Sequence, residues 1–227
     1  MTHSDDNGAR IVRSWTDNAD SWTAVVRDGL IPSRQAGTNA AIVEATRALG
    51  NGPVLDVGCG EGWLVRTVSD AGVRATGVDV SPRLIERARE LGSGTFTEAS
   101  YSTIENDTTL LPGPWRGIVC NFSLLGDPIH PLLASLRARL APGGRLLIQT
   151  LHPWAARGNA PYRSEWRTES FDACSVAFPS SMPWYYRTLA AWHEQLTLAG
   201  LNIVRFEEPV HAETGVPLSM LLTCEAA

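Results

Sequence analysis

Apolar positions in the first fifty residues recur at helical spacing, around Ile11, Val12, Trp15, Ala19 and Trp22 and again around Ala40, Ile42, Val43, Ala45 and Leu49, which predicts two helices. Gly29-Leu30-Ile31-Pro32 separates them, and Ser33 stands where the second would take its N-cap. From Val54 the period changes. Short β-rich runs at Val54–Val57, Val73–Val78, Thr95–Thr97, Gly117–Asn121 and Arg145–Leu151 alternate with helical stretches, which end at Ala71 and span Pro82–Leu91 and Pro131–Leu140. This βα rhythm predicts an α/β fold with a parallel, doubly wound sheet.

The rhythm stops at His152. Residues 152–184 are rich in Pro, Gly, Arg and aromatic residues, and a segment of this length between regular elements reads as a functional insertion, here a cap. A final helix over Tyr185–Ala199 and strands over Leu201–Glu208 and Pro217–Cys224 are expected to close the sheet.

Composition narrows the partners. With 227 residues, 44% of them hydrophobic, and a net charge of −5, the chain suits one mildly acidic globular domain. All nineteen basic residues are arginines, scattered without a run or stripe, so a small-molecule partner is expected rather than nucleic acid. No apolar run approaches the roughly 20 residues that span a bilayer. A cytoplasmic protein without membrane contact, monomer or homodimer, is the expectation. The four cysteines form no CxxC pair, and no cluster has metal-ligand spacing, so no metal is expected.

The chemistry is concentrated in Val54-Leu55-Asp56-Val57-Gly58-Cys59-Gly60-Glu61-Gly62. An apolar strand runs into a loop with glycine at every second position and then into a helix, so the backbone can approach a ligand closely. A tight strand-to-helix turn would use the same glycines. A dinucleotide site is the functional rival, but its glycines follow GxGxxG, and Asp56 would repel a pyrophosphate. Asp56 suits a ligand with an ammonium group, as in the methionyl part of S-adenosyl-L-methionine. Asp79, ending the next strand, is placed to accept both hydroxyls of an adenosine ribose. It could also cap the helix near Pro82, as Ser81 could.

LDVGCGEG and TGVDVSPRLIERAR together resemble the class I S-adenosylmethionine-dependent methyltransferases, in their small-molecule branch (types 11 and 12), over Val54–Leu151. The resemblance implies a Rossmann-like sheet of seven strands with the last antiparallel, and cofactor across the carboxyl ends of the strands. It implies that Gly58, Cys59 and Gly60 meet the methionyl part, with Asp56 the nearby acid, that Asp79 meets the ribose, and that Val80 lies beside the adenine. Ser100 stands where many members carry an acid for the adenine amino group, so Ser100 or Tyr101 would take that contact. Asn121 matches the position beside the methyl donor. The domain reading follows: one domain over 1–227, with an N-terminal helical segment (1–50), a cofactor-binding core (51–151), a cap insertion (152–184) and a C-terminal helix and strands (185–227).

On the acceptor side, His152 follows the fifth strand directly and is a candidate general base, although a strand-end histidine also fits. Trp154, Trp184 and Tyr185 are candidates for a flat substrate, as are Trp15 and Trp22; the same rings could clamp the cap. Arg34 and Arg187 are candidates for the cofactor carboxylate or an acidic substrate group. The expected activity is metal-independent methyl transfer to O, N or C of a small molecule. The alternatives are a nicotinamide-dependent oxidoreductase and a non-catalytic protein that senses the cofactor.

Overall fold

Val54–Val57 (β1) is buried at all four positions, as a central strand covered on both faces must be. A computed structural model describes residues 3–172 and 174–227. Met1 and Thr2 of the polar start, and Ala173 of the cap, lie outside the described residues. The chain runs α1 (His3–Asp17), α2 (Ala19–Arg27), a π-helical turn (Arg34–Thr38) continuing into α3 (Asn39–Ala48), β1, α4 (Trp63–Asp70), β2 (Ala75–Asp79), α5 (Pro82–Glu90), β3 (Thr95–Glu98), α6 (Tyr101–Asn106) and β4 (Trp115–Asn121). Then follow α7 (His130–Arg137), β5 (Leu140–Leu151), α8 (Pro153–Ala156), β6 (Glu165–Glu169), β7 (Met182–Tyr186), α9 (Leu189–Leu198), β8 (Leu201–Glu207) and β9 (Ser219–Ala226).

Seven strands form one sheet in the order β3-β2-β1-β4-β5-β9-β8. β1 to β5 pair in parallel, Val54 with Ala75 and with Gly117, while β9 runs antiparallel to both neighbours, pairing Ile148 with Leu222. This is the Rossmann-like sheet of seven strands, the last reversed, that the resemblance implies. The pleat sends alternate residues to opposite faces. Leu55, Val57, Ile118 and Ile148 join the core beneath α7 and α9, while Val54, Val119 and Leu147 join Ile42, Leu64 and Ile85 on the other side.

Local chemistry explains the helix ends. Ser81 Oγ accepts the N–H of Leu84, Pro82 opens α5, and Arg87 and Arg89 occupy its last turn, where cations meet the negative end of the helix dipole.

Three expectations need correction. The first predicted helix is two, α1 and α2, which meet at Asn18 (φ −92°, ψ 2°), whose Nδ2 donates to Ser180 O at 2.7 Å and whose Oδ1 accepts Ser180 N–H at 3.0 Å. Ser33 does not cap, since it is already helical (φ −62°, ψ −32°) with the helix entered at Pro32. Tyr185 starts no helix. It lies in β7, which pairs with β6 as a separate antiparallel hairpin, and Thr188 caps α9 by accepting Ala191 N–H.

Candidate functional site

The loop between β1 and α4 is stitched to the end of β2. Gly58 N–H and Cys59 N–H both donate to Val78 O, at 2.8 and 3.0 Å. Gly60 N–H donates to Asp79 Oδ2 at 2.9 Å. The turn needs left-handed backbone at Gly58 (φ 77°) and Gly60 (φ 56°), which glycine adopts without steric cost. Space demands it too, because a Cβ on Gly58 would lie 2.4 Å from Ser123 Cβ.

Above this loop lies a cavity of about 530 Å³, within the usual range for a small-molecule site. All ten residues expected to meet the cofactor line it: Arg34, Asp56, Gly58, Cys59, Gly60, Asp79, Val80, Ser100, Tyr101 and Asn121. One end carries buried charge. Asp56 is pushed up to about 7, first by burial and then by the charge of Asp79, against the pull of Arg34. Its Oδ1 has no hydrogen-bond partner. The Arg34 guanidinium lies 5.4 and 5.3 Å from the Trp22 and Trp63 rings. Burial draws it down to about 10, although Glu61 and Asp56 oppose this, and its Nη1 makes no hydrogen bond. Glu61 Oε2 accepts from Arg27 at 3.1 Å and Arg66 at 2.6 Å, while Oε1 has no partner. Buried polar atoms left unsatisfied are costly and mark places where a ligand can complete the set.

Toward the other end, Asp79 also accepts Ser81 N–H at 2.9 Å. Burial raises its carboxyl, and the N–H groups of Ser81, Gly60 and Val80 pull it back. Ser100 caps α6, accepting Thr103 N–H at 3.0 Å. Tyr101 donates to Ser123 O at 3.0 Å, and burial raises its phenol far above the usual range. Asn121 Oδ1 accepts from Gln149 Nε2 at 3.1 Å. Burial holds the Cys59 thiol protonated, well above its ordinary pKa. Among the described residues, no group of three or more His, Cys, Asp or Glu is placed to hold a metal ion.

Of the acceptor-side candidates, Trp15 and Trp22 line this cavity, whereas His152, Trp154, Trp184, Tyr185 and Arg187 do not. His152 is buried, its Nε2 2.8 Å from Glu208 Oε1. Trp154 is 58% exposed, with Arg157 4.1 Å from its ring. Trp184 packs edge-on to Tyr186, and Tyr185 to Trp166. Arg187 is buried behind the loop that follows β4, donating to the Leu124 and Gly126 carbonyls. The aromatic insertion thus follows β5 as expected but does not roof the cavity. It packs on α1 through β7, and Asn18 between α1 and α2 and Ser21 of α2 donate to its Ser180 and Ala177 carbonyls. The wall itself comes from Ile11, Val12 and Trp15 of α1, from Trp22, and from Phe122, Leu125 and Asp127 after β4.

Apart from the two indoles, sequence reasoning had no signal for this wall. The apolar stripe of α1 has the same period whether it meets a core or a cavity.

The sequence profile of a family described as a methyltransferase domain matches residues 34–205. The ubiquinone biosynthesis O-methyltransferase of Xanthomonas campestris pv. campestris (strain B100) is 32% identical over 114 residues, 48% of this chain and 47% of that protein. Its counterpart in Xylella fastidiosa (strain 9a5c) is 35% identical over 102 residues, 44% and 42% of the two chains. The chain therefore spans just under half the length of the curated relatives it matches. Among solved structures, Burkholderia thailandensis 1,6-didemethyltoxoflavin-N1-methyltransferase, with its substrate and S-adenosylhomocysteine bound, superposes with a TM-score of 0.68 at 18% identity, covering 100% of this chain and 92% of that one. An S-adenosylmethionine-dependent methyltransferase from Mesorhizobium loti gives 0.61 at 21% identity, covering 81% and 95%.

Proposed function

The chain belongs to the methyltransferase domain family, and from that premise we propose that it transfers a methyl group from S-adenosyl-L-methionine to O, N or C of a small molecule, without a metal. The observation that carries this reading is the pair of unpartnered buried atoms Arg34 Nη1 and Asp56 Oδ1 on one cavity. A ligand end that bears both a carboxylate and an ammonium group completes both, and the methionyl part of the cofactor is such an end. Asp56 holds the ammonium and Arg34 the carboxylate.

The loop's hydrogen bonds separate this reading from a dinucleotide site. A pyrophosphate needs free backbone N–H groups, whereas those of Gly58, Cys59 and Gly60 are already committed to Val78 O and Asp79. Carbonyls and Cα–H groups remain, which suit the cationic end of S-adenosylmethionine. Asp79 takes the ribose, Val80, Ser100 and Tyr101 border the adenine, and Asn121 lies beside the transferred methyl.

Bound there, the cofactor supplies an electrophilic methyl group on a sulfonium. The residues of this chain supply alignment and a water-poor wall, which is most of what a direct displacement needs. Ile11, Val12, Trp15 and Phe122 form that wall. His152, engaged with Glu208 outside the cavity, takes a structural role in this reading.

We further propose a single domain that acts in the cytoplasm as a monomer or homodimer, without nucleic acid; no described helix is long and apolar enough to cross a membrane. Calorimetry with S-adenosylhomocysteine tests the reading. Micromolar binding is expected, and no heat at high micromolar concentration would sink it.

A further inference from the structure

Asp127 is an acid on the cavity wall that the cofactor does not account for. It stands on the loop after β4, its side chain 32% exposed, with Oδ1 3.1 Å from Arg187 Nη2. The Arg187 side chain is fully buried and donates to the Leu124 and Gly126 carbonyls as well. One planar guanidinium therefore fixes the carboxylate and the backbone that carries it. Two further ties hold the same segment. Tyr185 N–H donates to Leu125 O at 2.8 Å, and Gln195 Oε1 accepts the N–H groups of Ile129 and His130 at 3.0 and 3.1 Å.

Burying an arginine costs solvation that only such partners recover. Here it yields a carboxylate of fixed direction at the edge of an apolar, aromatic space. Trp15 and Trp22 line that space edge-to-face, their centroids 5.1 Å apart. An aromatic ring attracts a cation through its quadrupole and a carboxylate attracts it through its charge, and Trp15 and Asp127 both line this cavity.

We infer that Asp127, oriented by Arg187, anchors the methyl acceptor, and that the acceptor is a flat, apolar molecule bearing a cationic nitrogen or an N–H donor. The inference rests on the proposed methyl transfer. It makes Arg187 a positioning residue rather than a substrate ligand.

The test uses the full chain with saturating S-adenosylhomocysteine, titrated with phenethylamine and with 3-phenylpropionate while tryptophan emission is followed. The amine is expected to bind about 10-fold more tightly than the acid. D127N is expected to bring the two within about 3-fold while binding of S-adenosylhomocysteine stays unchanged. An acid bound as tightly as the amine, no binding of either probe, or a preference that survives in D127N overturns the inference. Where D127N fails to bind S-adenosylhomocysteine, the wild-type ratio alone decides. Failure of the wild-type chain to bind S-adenosylhomocysteine overturns the proposed function instead.

Discussion

The Gly60 N–H lies 2.9 Å from Asp79 Oδ2, so the acid expected to receive a ribose also holds the glycine-rich loop in place. With Ser81 N–H on the other oxygen, both carboxylate oxygens accept from backbone. D79N turns one acceptor into a donor facing a donor. A loss of about 1 to 3 kcal/mol in stability is expected, together with at least about a 10-fold weaker affinity for S-adenosylhomocysteine. Thermal unfolding and calorimetry check both, and an unchanged dissociation constant would remove Asp79 from the site.

Arg34 is expected to act on one end of the cofactor alone. R34M should weaken S-adenosylhomocysteine binding by about 10- to 100-fold and leave adenosine binding unaltered. Equal losses for the two ligands would mean that Arg34 shapes the cavity without meeting a carboxylate.

Asp56 carries a pH signature. Its folded pKa, about 7, lies above the ordinary value of 3.8, so the folded state holds the proton more tightly than the unfolded chain. Its contribution to stability is therefore fully present below about pH 4 and is lost as pH rises to about 7. D56N removes this titration. The melting temperature of the wild type minus that of D56N should fall from pH 4 to pH 7 and then level off. A ligand ammonium pulls the same pKa down, so binding near pH 6.5 should release protons. Calorimetry in buffers of different ionisation enthalpy detects that release, and a flat response would separate Asp56 from the ammonium.

Gly58 has no room for a side chain. In G58A the new Cβ would meet Ser123 Cβ at 2.4 Å on a backbone with φ 77°. The strain alone is worth about 1 to 3 kcal/mol, and the clash adds to it. Thermal unfolding should register the sum, and a melting temperature equal to wild type would show that the loop yields freely.

What the sequence made legible was local. Each βα unit from Val54 to Leu151 declares itself through a run of apolar residues, a turn and a helical period, and the residues from Asp56 to Asn121 that are proposed to meet the donor fall at strand ends that this rhythm locates. The features it hid depend on partners far along the chain. The junction of α1 and α2 falls at Asn18, whose side chain bonds Ser180, and Tyr185 lies in a strand because Trp166 pairs with it across the hairpin. His152 is held by Glu208 rather than turned to the cavity. The stripe Ile11, Val12 and Trp15 was visible as apolar, but only the fold shows what it faces.

The wall that α1 supplies also bears on the order of folding. α1 rests against α2, α5 and β7, and the Asn18 side chain bonds a carbonyl 162 residues later. The loop and β2, which are proposed to hold the donor, lie within the first half of the chain. Contacts of such long sequence separation form late, because a large loop must close first. During synthesis α1 therefore emerges long before residues 182–186 of β7, on which it rests.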